Sequence, residues 1–150
     1  MPRRSLLGIF LAGTVLVGCG QSGVPVVAPT PAGVALSQCT ALIKALPVKL
    51  AGQSKRSALP PSSFTTAWGT DPITLRCGVG KPDAFDAQSQ LLRINNTDWF
   101  VQAGSAATTF TLVNRLAYVE ITVPQSYSPQ ADVITDLSGT IDKNVEFPRS

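Results

Sequence analysis

Ile73-Thr74-Leu75-Arg76-Cys77-Gly78-Val79 alternates strictly, with Ile73, Leu75, Cys77 and Val79 on one side and Thr74, Arg76 and Gly78 on the other. A period of two marks a half-buried β-strand, and here the apolar side carries a cysteine. A partner lies upstream. Beginning at Ser37, a candidate N-cap, residues Cys39, Leu42, Ile43 and Leu46 fall at i, i+3, i+4 and i+7 before Pro47 ends the pattern. That is a short amphipathic helix whose apolar stripe includes Cys39. A Cys39–Cys77 disulfide would staple helix to sheet and close a loop of about 38 residues, worth roughly 4 kcal/mol on the chain-entropy model. The alternative is a pair of free buried thiols, which alkylation with and without reductant separates.

Further strands flank this one. Thr65-Thr66-Ala67-Trp68-Gly69 leads into it through Thr70-Asp71-Pro72, whereas residues 49–61, polar with scattered Gly, Ser and paired prolines, read as a surface loop. Gly78-Val79-Gly80-Lys81-Pro82 lacks the spacing of a phosphate loop and reads as a turn. Leu91-Leu92-Arg93-Ile94 and Trp99-Phe100-Val101-Gln102-Ala103 flank Asn95-Asn96-Thr97-Asp98, a hairpin composition. A second hairpin joins Thr109-Phe110-Thr111-Leu112-Val113 to residues 116–123 through Asn114-Arg115 and ends at Pro124. If its second strand pairs with the 73–79 strand, Glu120 and Arg76 share the outer face as a cross-strand ion pair. Ser128-Pro129, with Asp132 and Asp136, opens a second helix whose stripe is Val133, Ile134, Leu137 and Ile141; it runs to about residue 142, with Gly139 a weak point. The expected fold is α+β: a small antiparallel sheet of about five strands packed against two helices, with one disulfide.

The 150 residues suffice for one domain. Twelve Lys and Arg against nine Asp and Glu give +3, but Arg3 and Arg4 lie in a segment expected to be removed, leaving ten against nine, about +1. No basic run exceeds Lys55-Arg56 and no aromatics interleave with cations, so nucleic acid is not an expected partner. The chain has no histidine, which removes the Ser-His-Asp and Cys-His nucleophile systems and the commonest metal ligand. No cofactor and no metal site are expected.

The N-terminal end reads as an export signal. Residues 1–5 are short and basic, and residues 6–18 are uncharged and end in Leu16-Val17-Gly18-Cys19. Thirteen residues fall short of the roughly twenty that a membrane span needs but match a signal-peptide core. The tetrad resembles a bacterial lipobox, which makes residues 1–18 a lipoprotein signal peptide and Cys19 the lipidated residue; the alternative is an ordinary secretory cleavage site. Arg3-Arg4 also resembles a twin-arginine signal, leaving the general and folded-export routes both open. Residues 19–36 hold the lipidated cysteine and a tether rich in proline and free of charge. Fully extended, residues 20–36 would reach about 56 Å; alternatively Val24, Val26 and Val27 lie along the domain, which is expected to span residues 37–146.

The cysteine-bearing helix ending in Leu46-Pro47, then Ala67-Trp68-Gly69, Leu75-Arg76-Cys77-Gly78, Pro82, Trp99, and Arg115 followed by Tyr118-Val119-Glu120 and Pro124, resemble an uncharacterised family of small actinobacterial exported lipoproteins. The resemblance implies an exported, membrane-attached domain with paired cysteines and assigns no catalytic residue. The leading expectation is a lipid-anchored cell-envelope protein on the extracytoplasmic face of the cell membrane, whose domain binds or scaffolds an envelope protein or a small apolar ligand. Trp68, Trp99 and Arg115 are its candidate binding residues. The alternative is a hydrolase or transferase acting on envelope polymers with Asp71, Asp83, Asp86 or Glu120 as acid and base. A third reading is support of another assembly without any ligand pocket.

Overall fold

The computed structural model describes residues 23–149; the signal segment and Cys19 lie outside them. Among the described residues the elements are β1 (Val24–Pro25), α1 (Gly33–Ala45), β2 (Lys49–Leu50), β3 (Gln53–Arg56), β4 (Ala58–Leu59), β5 (Thr65–Trp68), β6 (Ile73–Val79), β7 (Leu91–Ile94), β8 (Thr97–Ala103), β9 (Ala107–Val113), β10 (Tyr118–Pro124) and α2 (Ala131–Asn144). Eight strands form one antiparallel sheet in the order β2-β3-β5-β6-β10-β9-β8-β7, and β1 pairs in parallel with β4 in a separate two-stranded ribbon. Two meanders, β2 to β6 and β7 to β10, are therefore joined by the β6–β10 pair, where Val119 faces Cys77 and Ile121 faces Leu75.

The expected sheet of about five strands is corrected to eight, with two more in the ribbon. The additional strands lie in segments that read as loop and tether. β1, β2 and β4 have two residues each, too short to display a period, and Gln53-Ser54-Lys55-Arg56 of β3 is polar at every position, so it shows no apolar alternation.

Both helices lie on one face. The apolar positions of β6 and β10, together with Trp68 of β5, Trp99 of β8 and Leu112 of β9, meet Leu42 and Leu46 of the α1 region and Val133, Ile134, Leu137 and Ile141 of α2 in one core. Each such side chain contributes on the order of 1.5–3 kcal/mol by leaving water. Cys39 and Cys77 are fully buried and disulfide-bonded, with Cα atoms 5.3 Å apart, and they join α1 to the middle of the sheet.

α1 begins at Gly33, ahead of Ser37, whose hydroxyl donates to the Val34 carbonyl inside the first turn instead of capping the helix. After Gly33, whose φ is +57°, nothing in Val34-Ala35-Leu36 breaks a helix, so the helix extends back to that glycine. α2 starts after Ser128-Pro129 at Ala131 and continues past Gly139 to Asn144.

The other face has two covers. Val24 and Val26 pack with Ala58 and Ala67 in a small second core, held by Val24 N–H to Ser57 O and Val26 N–H to Leu59 O, both 2.9 Å. The described part of the N-terminal segment thus lies along the sheet. At the far side, residues 80–90 carry the chain from β6 to β7, and Phe85 packs on Phe100 of β8 with ring centroids 5.4 Å apart. Between the covers runs a transverse row, Thr65, Arg76, Glu120, Thr111 and Phe100, in which Arg76 and Glu120 form an ion pair at 3.0 Å.

Candidate functional site

The three candidate binding residues are all buried. Trp68 faces the helices and donates its indole N–H to the Pro47 carbonyl at 3.0 Å; Trp99 donates to Thr97 Oγ1 at 2.8 Å. Arg115 lies in the β9–β10 turn with its guanidinium turned inward. It donates to the carbonyls of Val145 and Asn96 and to Asp142 Oδ1 at 2.6 Å, and its flat face lies 3.6 Å from the centre of the Phe147 ring. One side chain thereby gathers the β7–β8 turn, the end of α2 and the C-terminal tail, which also bonds back through Leu116 N–H to Glu146 O. The Arg115 hydrogen bond holds the Asp142 carboxyl below its ordinary value, with the Asn96 side-chain amide adding to the effect against the opposing pull of burial.

The four candidate carboxylates are spread over separate places. Asp71, after β5, accepts from Ser126 Oγ at 2.6 Å. Asp86 accepts from Gln88 N–H and Ser89 Oγ within its own loop, Asp83 is exposed in that loop, and Glu120 is paired with Arg76. Among the described residues no three Asp, Glu or Cys side chains group as metal ligands.

Two clefts remain. One, of about 460 Å³, opens where residues 29–32 pass over the end of β6 and is bordered by Arg76, Gly80 and Tyr118. Its single cation is neutralised by Glu120. Gly78 lets the segment pass, because its φ is +89° and a Cβ there would lie 2.4 Å from Pro31 Cβ.

The other cleft, of about 430 Å³, opens at the edge of the sheet where β3 ends and leaves β5, and it is lined by Lys55, Arg56, Ser57, Ser62 and Thr65 with no acid among its walls. Lys55 reaches the Ile43 carbonyl at 3.4 Å and Arg56 Nη1 the Gly69 carbonyl at 3.0 Å. Partial burial pulls the Lys55 ammonium below its ordinary value. Thr65 is 5% exposed, and its Oγ1 is buried with no hydrogen-bond partner among the described residues. These residues fall in or next to the segment that reads as a loop. A signal for them exists in the charge pattern, since Asp71 is the first acid of the chain and Lys44, Lys49, Lys55 and Arg56 all precede it.

No curated protein and no solved structure matches the chain. A family model described as protein of unknown function (DUF3515) matches residues 5–148, almost the entire length, and the chain belongs to that family.

Proposed function

We propose that the chain is an exported, lipid-anchored binding domain, acylated at Cys19 after removal of residues 1–18 and held on the outer face of the cytoplasmic membrane, in keeping with its resemblance to small actinobacterial exported lipoproteins. The observation that carries this reading is the buried Cys39–Cys77 disulfide. Such bonds persist in oxidising compartments, and this one engages two of the three cysteines, leaving Cys19 behind Leu16-Val17-Gly18.

Length supports close attachment. Cys19 stands four residues before Gly23, a reach of at most about 14 Å, so the ribbon side of the domain is held near the headgroups. Mass spectrometry of the membrane-extracted product tests the reading. The expected species begins at Cys19 and carries diacylglycerol with a further acyl chain such as palmitate, and Cys19→Ala abolishes both cleavage and acylation. An unmodified Cys19 in the exported protein would overturn it.

A further inference from the structure

We propose that the sheet edge formed by β2 and β3, together with the end of α1, is a docking surface for an anionic lipid bilayer, and that Lys44, Lys49, Lys55 and Arg56 turn this edge toward the membrane. The inference deepens the reading of the chain as a lipid-anchored domain and rests on it for its geometry.

The distribution of charge comes first. Residues 23–70 hold four cations and no acid, whereas residues 71–149 hold nine acids and six cations. The boundary in sequence is also a boundary in space. The first group builds α1, the ribbon and the β2-β3-β5 end of the sheet, and the second builds α2 and the rest of the sheet from β6 to β7. The three ion pairs among the described residues, Arg76–Glu120, Arg93–Asp98 and Arg115–Asp142, all lie in the second group. The four cations of the first group therefore carry their charge uncompensated.

Register then sets their arrangement. Residues directly opposite each other across an antiparallel pair share a face. Lys55 stands opposite Trp68, on the helix face, and Arg56 opposite Ala67, on the other face. Ser54 alternates with Lys55, so Lys49, opposite Ser54, lies on the side of Arg56. Lys44, in the last turn of α1, lies on the side of Lys55, whose ammonium reaches the neighbouring Ile43 carbonyl. Two cations thus stand on each side of the edge. Such a set cannot close around one anion but matches an extended plane of negative headgroups, where a charge need only come within a Debye length, about 8 Å at physiological salt. Lys44 and Lys49 are exposed, and Val48 between them in sequence is 78% exposed, an apolar side chain flanked by cations as in segments that rest on a bilayer interface.

The tether is the second, independent observation. The ribbon continues the same edge, because Val24 N–H donates to the carbonyl of Ser57, the residue after Arg56. Cys19 stands four residues before Gly23, a reach of at most about 14 Å. An acyl chain on Cys19 therefore brings the cationic edge, and not the acidic half, to the headgroups.

Amine labelling of the membrane-extracted chain tests the surface. The chain is reconstituted at low ionic strength into vesicles of phosphatidylcholine alone or of phosphatidylcholine with phosphatidylglycerol, treated with an acetylating succinimidyl ester, and digested for peptide mass analysis. Lys44 and Lys49 are expected to react about fivefold more slowly on the anionic vesicles, Lys143 at the end of α2 at equal rates on both, and high salt should erase the difference. Equal rates at Lys44 and Lys49 on the two vesicles, or equal slowing at Lys143, would overturn the proposal. The parent sequence is used, so no variant's folding enters the result. The N-terminal mass of the same sample reads the anchor separately. An unmodified Cys19 overturns the anchor, and the surface is then read by sedimentation: binding to the phosphatidylglycerol vesicles and not to phosphatidylcholine alone, weakened about fivefold by Lys49→Gln, supports it, and no sedimentation with either overturns it.

Discussion

At Arg115 a guanidinium is held among two backbone carbonyls, a carboxylate and an aromatic ring with almost no access to water. Removing it leaves the carbonyls of Val145 and Asn96 without their donor, and Arg115→Ala is expected to lower stability by about 2–4 kcal/mol in urea unfolding. Lysine should recover only part of the loss, because one ammonium does not reproduce the planar fork that spans three acceptors. Asp142 makes the same cluster sensitive to acid. Its carboxyl is held below the ordinary value by the Arg115 hydrogen bond, so its contribution is fully present above about pH 4 and is lost as pH falls through the depressed value. Asp142→Asn should therefore flatten the acid limb of the stability profile while leaving the neutral-to-alkaline limb parallel to that of the parent; an acid limb of unchanged steepness would count against this role. The neighbouring Asn114 has φ +60°, a left-handed conformation that asparagine tolerates better than most residues, which is how the turn aims Arg115 inward without a glycine.

At the scale of elements, β6 and β10 carry the fold together. The reading of Ile73–Val79 as a strand with alternating faces matches the burial of Ile73, Leu75 and Cys77, and the Arg76–Glu120 pair occurs where the alternation of both strands places it. That pair is about a quarter to a third exposed on both sides, so a double-mutant cycle at Arg76 and Glu120 should return a coupling of no more than about 1 kcal/mol. The apolar side matters more: Leu75→Ala, in the centre of the core, should lower stability by about 2–5 kcal/mol through lost burial and the cavity left behind. Replacing Cys39 and Cys77 together by alanine should lower it by about 2–5 kcal/mol as well, measured against the oxidised parent. Gly78→Ala combines a positive φ with the Pro31 contact and should destabilise by at least about 1 kcal/mol.

Across the molecule, what was legible in the sequence follows from how regularly each segment meets a core. α2 shows its stripe clearly because Val133, Ile134, Leu137 and Ile141 all face one apolar surface, and the two long hairpins show theirs for the same reason. The turn of the first hairpin is tighter than its composition suggests. Ile94 pairs with Thr97, leaving only Asn95 and Asn96 at the tip, and both side chains dock on α2 through Ser138 and Asp142. The edge strands were hidden because short or polar segments acquire their conformation from the neighbouring strand, an influence that local periodicity does not report. Trp68, Trp99 and Arg115 attract attention in sequence as large or charged residues near turns, yet Trp68 and Arg115 are drawn inside by partners distant in sequence and Trp99 by the core it packs in. Lys44, Lys49, Lys55 and Arg56 escape attention because only the folding of the sheet edge brings them to one end of the molecule.

The arrangement of ribbon and disulfide also bears on load. A pull applied at the N-terminal end first strains the two bonds between β1 and β4, Val24 N–H to Ser57 O and Val26 N–H to Leu59 O. Peeling then proceeds along the chain into α1 and halts at Cys39, which is covalently joined to the central strand. Only residues 23–38 can be drawn out, about 55 Å of extended chain, while the sheet behind them is spared. In a single-molecule stretching trace that slack should appear as a short early extension under oxidising conditions, and reduction should merge it with the rupture of the whole domain.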